Sequence, residues 1–176
     1  ILIVLFVHFS TLDTISTRII FMDQALQNYY MSIFFSAFCL IILINGTNFI
    51  DGLNGLVLIY YLIVLTILYK LNLLVGINLT DLNYIHFCYF LFVLIIFNLS
   101  NKFYLGDSGA YLLGLLIGFI LIKIHNFNPY ISPFFVALLL WYPCFENLFS
   151  ILRKFKLGKS PVSPDSKHFH HLLFYF

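Results

Sequence analysis

Gly109-Ala110-Tyr111-Leu112-Leu113-Gly114-Leu115-Leu116-Ile117-Gly118-Phe119-Ile120-Leu121-Ile122-Lys123-Ile124-His125 carries no charge before Lys123. A helix that crosses a bilayer needs about 20 mostly apolar residues, with roughly 17 as a working lower limit. This stretch meets the limit and reads as a transmembrane helix. Gly114 and Gly118 lie four residues apart, the small-xxx-small spacing that lets two membrane helices approach closely. Helix packing is therefore their expected role.

The rest of the chain has the same character. Hydrophobic residues make up 62% and charged residues 9%, with a mean hydropathy of +1.00, whereas soluble domains carry roughly 25% charged residues. So few charges cannot cover a water-exposed surface, and the class is an integral membrane protein. A formal net charge of +2, with no long basic run or aromatic ladder, excludes nucleic-acid binding. Cys39, Cys88 and Cys144 are widely spaced in apolar segments. They fit neither a zinc site nor a disulfide framework, and read as small buried hydrophobes. The chain opens on Ile1 within an apolar run, which reads as a single domain over 1–176 lacking its N-terminal part.

Further spans are expected at about 29–45, 53–69, 84–99 and 130–151, with residues 1–9 as the end of another. The fold class is thus all-α, a polytopic transmembrane helix bundle. Connections fall on alternate sides: 45–52, 100–108 and 152–171 on one, 10–28, 70–83 and 126–129 on the other. The first side holds Lys102, Arg153, Lys154, Lys156, Lys159 and Lys167; the second holds only Arg18 and Lys70, with Lys123 nearby. The positive-inside bias places the first side in the cytoplasm.

Three polar constellations gather on that side. The first runs Asn45-Gly46-Thr47-Asn48-Phe49-Ile50-Asp51-Gly52-Leu53-Asn54-Gly55-Leu56, where Asn45, Asn48, Asp51 and Asn54 recur at every third residue. On a helix this makes a slanting polar stripe. A helix–helix hydrogen-bond seam would use the asparagines, but a charge such as Asp51 costs roughly 2.5–3.5 kcal/mol at a helix centre and is seldom kept without function. The second is Leu105-Gly106-Asp107-Ser108-Gly109. Its Asp and Ser suit a helix cap, and its carboxylate equally suits Mg²⁺, which takes one or two protein carboxylates beside water and phosphate oxygens. The third is the basic, histidine-bearing loop from Arg153 to His171, with Ser163 and Pro164 placed to start a short helix and His168 and His171 on one face of it. Such a loop suits phosphate groups; binding of anionic lipid headgroups is the plainer alternative.

In this order and spacing the constellations resemble the polyprenyl-phosphate N-acetylhexosamine-1-phosphate transferases, glycosyltransferase family 4. The family's Asn-x-x-Asn-x-x-Asp-Gly-x-Asp-Gly-Leu is matched by Asn45 to Leu56, and its Gly-Asp-x-Gly-Ser by Gly106 to Ala110. Its Pro-x-x-Asp/Glu, basic pair and Ser-Pro-x-Ser-Pro-Asp-x-x-His-x-His-His are matched by Pro143, Glu146, Arg153-Lys154, Ser160 to Asp165 and His168 to His171. Asn54 stands where the family has a second Asp, and Ala110 where it has a final Ser. The family's Asp-Asp motif would lie upstream of Ile1.

The resemblance implies transfer of an N-acetylhexosamine-1-phosphate from a UDP-sugar to undecaprenyl or another polyprenyl phosphate, with release of UMP, as the first membrane step of surface glycan synthesis. It implies Mg²⁺, with Mn²⁺ as the alternative, held by Asp107. It assigns catalysis to Asp51, Asp107, His168, His170 and His171, and substrate binding to Asn45, Asn48, Asn54, Arg153, Lys159 and Lys167. Cytoplasmic loops would carry the site of a multi-pass enzyme in a bacterial inner membrane, and a homodimer is left open. The interrupted His-x-His-His resembles the branch that uses UDP-GlcNAc, whereas the UDP-MurNAc-pentapeptide branch has three consecutive histidines. That phosphotransferase and a catalytically inactive membrane scaffold or lipid-headgroup-binding protein are the alternatives. A transporter would place its polar groups at mid-bilayer, not at one face.

Overall fold

In the computed structural model of the protein, residues 1–14, 16–74, 81–128, 130–156 and 158 are described. Among them the chain forms α1 (Leu2–Phe9), α2 (Ile20–Leu26), α3 (Tyr29–Ile50), α4 (Leu56–Lys70), α5 (Asp81–Leu99), α6 (Gly106–Phe127), α7 (Pro133–Leu139) and α8 (Trp141–Lys156), and no strand. The expected all-α bundle is what the chain adopts. Helices α3 and α6 are each 22 residues long and apolar enough to cross a membrane.

Helix α3 is the axis of the bundle, packing chiefly on α6 and α8. Its seam with α6 uses the glycine pair as expected. A Cβ on Gly114 would meet Thr47 Oγ1 at 2.8 Å and Ile44 Cα at 3.0 Å, and one on Gly118 would meet Leu40 Cδ2 at 2.5 Å. Residue numbers rise on one helix as they fall on the other, so the pair is antiparallel. The C-terminal end of α3 therefore lies beside the N-terminal end of α6. Within lipid, association depends on close packing and satisfied hydrogen bonds rather than on expelling water. The seam supplies both: Thr47 donates to the Leu43 carbonyl at 2.7 Å and receives the buried Tyr61 hydroxyl from α4.

The far end of the bundle is tied just as firmly. His125 Nε2 lies 2.7 Å from the Ser16 carbonyl, and Asn126 donates to the Asp13 carbonyl at 2.7 Å. Thr14 and Ser36 hydroxyls are 2.6 Å apart. The 10–28 connection thus sits with the C-terminal end of α6, away from residues 45–55 and 98–107. For the connections 10–28, 45–52 and 100–108 and for residues 126–128, the alternation of sides read from the sequence holds; residues 75–80, 157 and 159–171 lie outside the described residues.

Two spans come out differently from expectation. Helix α4 has 15 residues, about 22 Å at about 1.5 Å per residue, short of a hydrocarbon core of roughly 30 Å. Residues 51–55 are spent on a turn that ends with Gly55 at φ +83, a left-handed conformation that favours glycine. The 130–151 stretch is not one straight span but α7 and α8, bent by 76°. Pro143 has no N–H for the Leu139 carbonyl, which would be its partner in a continuous helix. The Tyr60 hydroxyl donates to that carbonyl instead, so the break is satisfied from inside the protein.

Helix α8 is amphipathic in the inverse sense. Pro143, Glu146, Asn147, Ser150 and Lys154 are buried, while Phe145, Phe149, Leu152 and Phe155 face outward. The polar stripe lies against α3: Asn147 donates to the Ile42 carbonyl at 3.1 Å. A Cβ on Gly46 would lie 2.1 Å from the Pro143 carbonyl oxygen, so only glycine lets the two backbones touch. Replacing Gly46 by Ala should force the helices apart and cost about 1–3 kcal/mol, read as a lower melting midpoint of the detergent-solubilised protein. Leu112→Ala, on the outer face of α6 where Leu112 is 56% exposed, should leave the midpoint nearly unchanged.

Candidate active site

The end of the α3–α6 seam collects the first two constellations. The slanting stripe expected from the every-third-residue spacing is only half formed. Asn45 and Asn48 lie on α3, but the helix stops at Ile50, with Asp51 as its C-cap. Asn54 belongs to the turn before α4. The cause is local: Gly52 and Gly55 flank residues that are better satisfied in a turn than in a helix. The result is that Asp51 stands at the end of the helix rather than within the α3 stripe.

Asp107 sits in the first turn of α6, after Gly106 at φ +64. The N-cap position is Leu105, so capping is not the use of this carboxylate. The positive end of the helix dipole favours a negative charge there. Asp51 is half-buried and Asp107 is exposed. Burial first, and the negative charge of Asp107 second, push the Asp51 carboxyl up to about 6. Two acidic groups far apart in sequence have thus been brought within electrostatic reach of each other.

Carboxamides surround the pair. Asn48 Nδ2 lies 3.4 Å from the Tyr111 hydroxyl on α6. Asn45 donates to the Ile41 carbonyl of its own helix at 2.8 Å. Asn54 donates to Asn101 Oδ1 at 2.6 Å. Buried Asn98 accepts from the Gly55 N–H and donates to the Phe103 carbonyl at 2.8 Å. Neither Asn98 nor Asn101 figured among the sequence candidates. Their signal was present as Asn98-Leu99-Ser100-Asn101, a polar cluster closing the apolar 84–99 run.

Helix α8 delivers basic residues to the same end. Lys154 is buried, with its ammonium 5.7 Å from the centroid of the Phe49 ring, a cation–π arrangement. Phe49 is two residues from Asp51. Arg153 is half-buried beside it. Glu146, known from the sequence only through a motif resemblance, belongs to the buried polar stripe together with Asn147 and Ser150. Their spacing in an otherwise apolar helix was the available clue. Lys159, Lys167, His168, His170 and His171 lie outside the described residues.

An apolar cavity of about 380 Å³ opens between α3, α6, α7 and α8. Phe35, Leu43, Leu121, Val136 and Leu140 wall it. Asp51 and Asp107 are not among its lining residues, whereas Thr14, Ser16, Thr17 and His125 are, so it opens toward the opposite end of the bundle.

The family model for glycosyl transferase family 4 matches residues 1–125. The undecaprenyl-phosphate alpha-N-acetylglucosaminyl 1-phosphate transferase of Thermotoga maritima is 30% identical over 131 residues, covering 74% of this chain and 39% of that protein. Its namesake in Pasteurella multocida is 31% identical over 117 residues, 56% of this chain and 32% of that protein. The decaprenyl-phosphate N-acetylglucosaminephosphotransferase of Mycolicibacterium smegmatis is 34% identical over 84 residues, 41% of this chain and 21% of that protein. The chain therefore spans well under two thirds of the curated relatives it matches. No solved structure matches it.

The juxtaposition of the two acids has a direct spectroscopic consequence. In metal-free protein, Asp107→Asn removes the negative charge that helps to hold the Asp51 carboxyl up near 6. Asp51 should then titrate at lower pH, between about 6 and its ordinary value, because burial persists. Carboxyl resonances of ¹³C-labelled aspartate, followed against pH, check this. An unchanged Asp51 titration would mean the two groups do not sense each other.

Proposed function

The chain belongs to glycosyl transferase family 4, and on that basis we propose that it transfers an N-acetylhexosamine-1-phosphate from a UDP-sugar to a polyprenyl phosphate. A phosphate oxygen of the lipid attacks the sugar-bearing phosphorus of the UDP-sugar. The bond to the UMP oxygen breaks, UMP leaves, and a lipid-linked sugar pyrophosphate remains. Chemistry of this kind depends on alignment and charge neutralisation more than on covalent participation by the protein.

The observation that carries the reading is the meeting of Asp51 and Asp107 at one polar end of the bundle. Paired carboxylates within mutual electrostatic reach are a donor set for a hard cation. Two carboxylates suit Mg²⁺ or Mn²⁺, with the remaining positions left to water and phosphate. Asp107, with Asp51 beside it, is assigned to hold the ion. When bound, such an ion neutralises charge on the pyrophosphate as UMP departs.

The other assignments follow from chemistry. Asn48 and Asn54 offer carboxamides to the nucleotide or to metal-bound water, with Asn45 one helical turn behind. Arg153, Lys159 and Lys167 bind phosphate oxygens, as do His168, His170 and His171, in keeping with the motif they match. The apolar cavity, toward the opposite end of the bundle, offers the distal part of an isoprenoid tail a place between helices, while its phosphate stays at the polar end. The His-x-His-His spacing favours UDP-GlcNAc as donor, and a bacterial inner membrane with this end cytoplasmic fits the excess of Lys and Arg there.

The central test is Asp107→Asn in the full-length enzyme, solubilised in detergent and supplied with UDP-GlcNAc and polyprenyl phosphate. Asn keeps the shape but loses the charge that a hard cation requires. UMP release should fall by at least about a hundredfold, equivalent to about 2.7 kcal/mol, with the protein still folded. Matching rates and matching magnesium dependence would sink the metal assignment. Sidedness has its own check. With Cys39, Cys88 and Cys144 replaced, Lys156→Cys in intact cells should react only with membrane-permeant thiol reagents, and Lys70→Cys also with impermeant ones. Labelling of Lys156→Cys by an impermeant reagent would invert the topology.

A further inference from the structure

Asp51 and Asp107 belong to different turns, and nothing in the sequence between them requires the two to meet. The α3–α6 seam brings the helix ends together, and each acid stands where a helix meets a loop, Asp51 as the C-cap of α3 and Asp107 in the first turn of α6. One buried side chain joins the two loops. Asn98, in the last turn of α5, is 3% exposed. Its Oδ1 accepts from the Gly55 N–H, and its Nδ2 donates to the Phe103 carbonyl at 2.8 Å. Gly55 is the fourth residue after Asp51, and Phe103 is the fourth before Asp107. One carboxamide therefore spans the turn that carries each acid.

The surroundings are built for this bridge. Helix α5 ends in a left-handed cap at Asn101, φ +56. The Lys102 N–H bonds the Phe97 carbonyl at 2.9 Å and the Asn101 N–H the Asn98 carbonyl at 3.1 Å, the paired pattern that reverses the chain at a helix end. That reversal returns Phe103 over Asn98. On the other side, a Cβ on Gly55 would meet Leu99 Cδ2 at 2.8 Å, so glycine admits the α5 end close enough for its N–H to reach Asn98. A second, exposed strap, Asn54 to Asn101 at 2.6 Å, lies alongside. A carboxamide supplies a donor and an acceptor from one short, planar group.

We propose that Asn98 is a positioning residue that sets the separation of Asp51 and Asp107, and hence the geometry in which they share a divalent cation. Both of its hydrogen bonds go to backbone, so its action on the acids is through the loops that hold them. This inference rests on the transferase reading above, and the experiment keeps the two apart.

The full-length protein, wild type and Asn98→Ala, is purified in detergent and examined by melting midpoint, by Mn²⁺ binding alone using electron paramagnetic resonance, and by transfer from UDP-GlcNAc. Asn98→Ala should weaken Mn²⁺ binding at least about fivefold and lower kcat at least about tenfold, with KM for the UDP-sugar changed less than about twofold. Should Asn98→Ala fail to fold, Asn98→Gln is the variant to read. It keeps donor and acceptor but moves them out by one methylene, and is expected to fold with both quantities shifted in the same direction. A folded variant of either kind with wild-type Mn²⁺ affinity and kcat overturns the role of Asn98. Wild-type protein that binds Mn²⁺ and loses it in the variant, yet transfers no sugar phosphate, overturns the transferase reading and leaves the positioning role standing. Wild-type protein without Mn²⁺ binding overturns both.

Discussion

Close backbone approach at α3 is the constraint on which the rest of this molecule depends. Lipid offers helices no hydrophobic reason to associate, so contact area and satisfied polar groups must hold them together. Gly46, Gly114 and Gly118 remove the side chains that would keep α3 apart from α8 and α6. With those atoms gone, Thr47 and Tyr61 exchange a hydrogen bond inside the bundle and Asn147 reaches the Ile42 carbonyl. The antiparallel seam then has a chemical consequence. It places the end of α3 and the start of α6 together, and each of those ends carries an aspartate.

The broken α7–α8 stretch extends the same logic. A proline inside a membrane helix frees a carbonyl that lipid cannot satisfy. Here the Tyr60 hydroxyl takes it, and the bend allows α8 to turn its polar stripe inward against α3. Burying Glu146 and Lys154 carries a desolvation cost that ordinary packing does not require. Lys154 offsets part of it over the Phe49 ring. A helix that is greasy outside and polar inside is an arrangement for lining a site, and its last turn carries Arg153, Lys154 and Lys156, residues expected from the sequence in a loop.

Asp51 and Asn98 show how loops, rather than helices, finish the site. Had α3 continued through residue 54, Asp51 would have stayed on a helical stripe with Asn45 and Asn48. The turn at 51–55 takes it out of that row, and the carboxamide of Asn98 connects this turn to the one before Asp107. Burial first, and the charge of Asp107 second, raise the Asp51 carboxyl in that turn. Family membership, with relatives named as N-acetylglucosamine-1-phosphate transferases, agrees with a site built for phosphate chemistry at one end of a membrane bundle.

Much of this was legible in the chain itself. Composition and runs of apolar residues determine an all-α membrane protein, because lipid admits only backbones whose hydrogen bonds are closed within the segment or with neighbouring helices. The motifs from Asn45 and from Gly106, and the Gly114–Gly118 spacing, announce the candidate acids and one packing seam, since each depends on local residue type and period. The partner that satisfies the break at Leu140, the inward polar face of α8 and the bridge made by Asn98 were decided by tertiary structure alone. Each depends on a partner distant in sequence: Tyr60 for the freed Leu139 carbonyl, Gly46 for the approach of Pro143, Gly55 and Phe103 for the two ends of one carboxamide. A period along the chain reports which face is polar. Which distant group satisfies it is determined only when the helices meet.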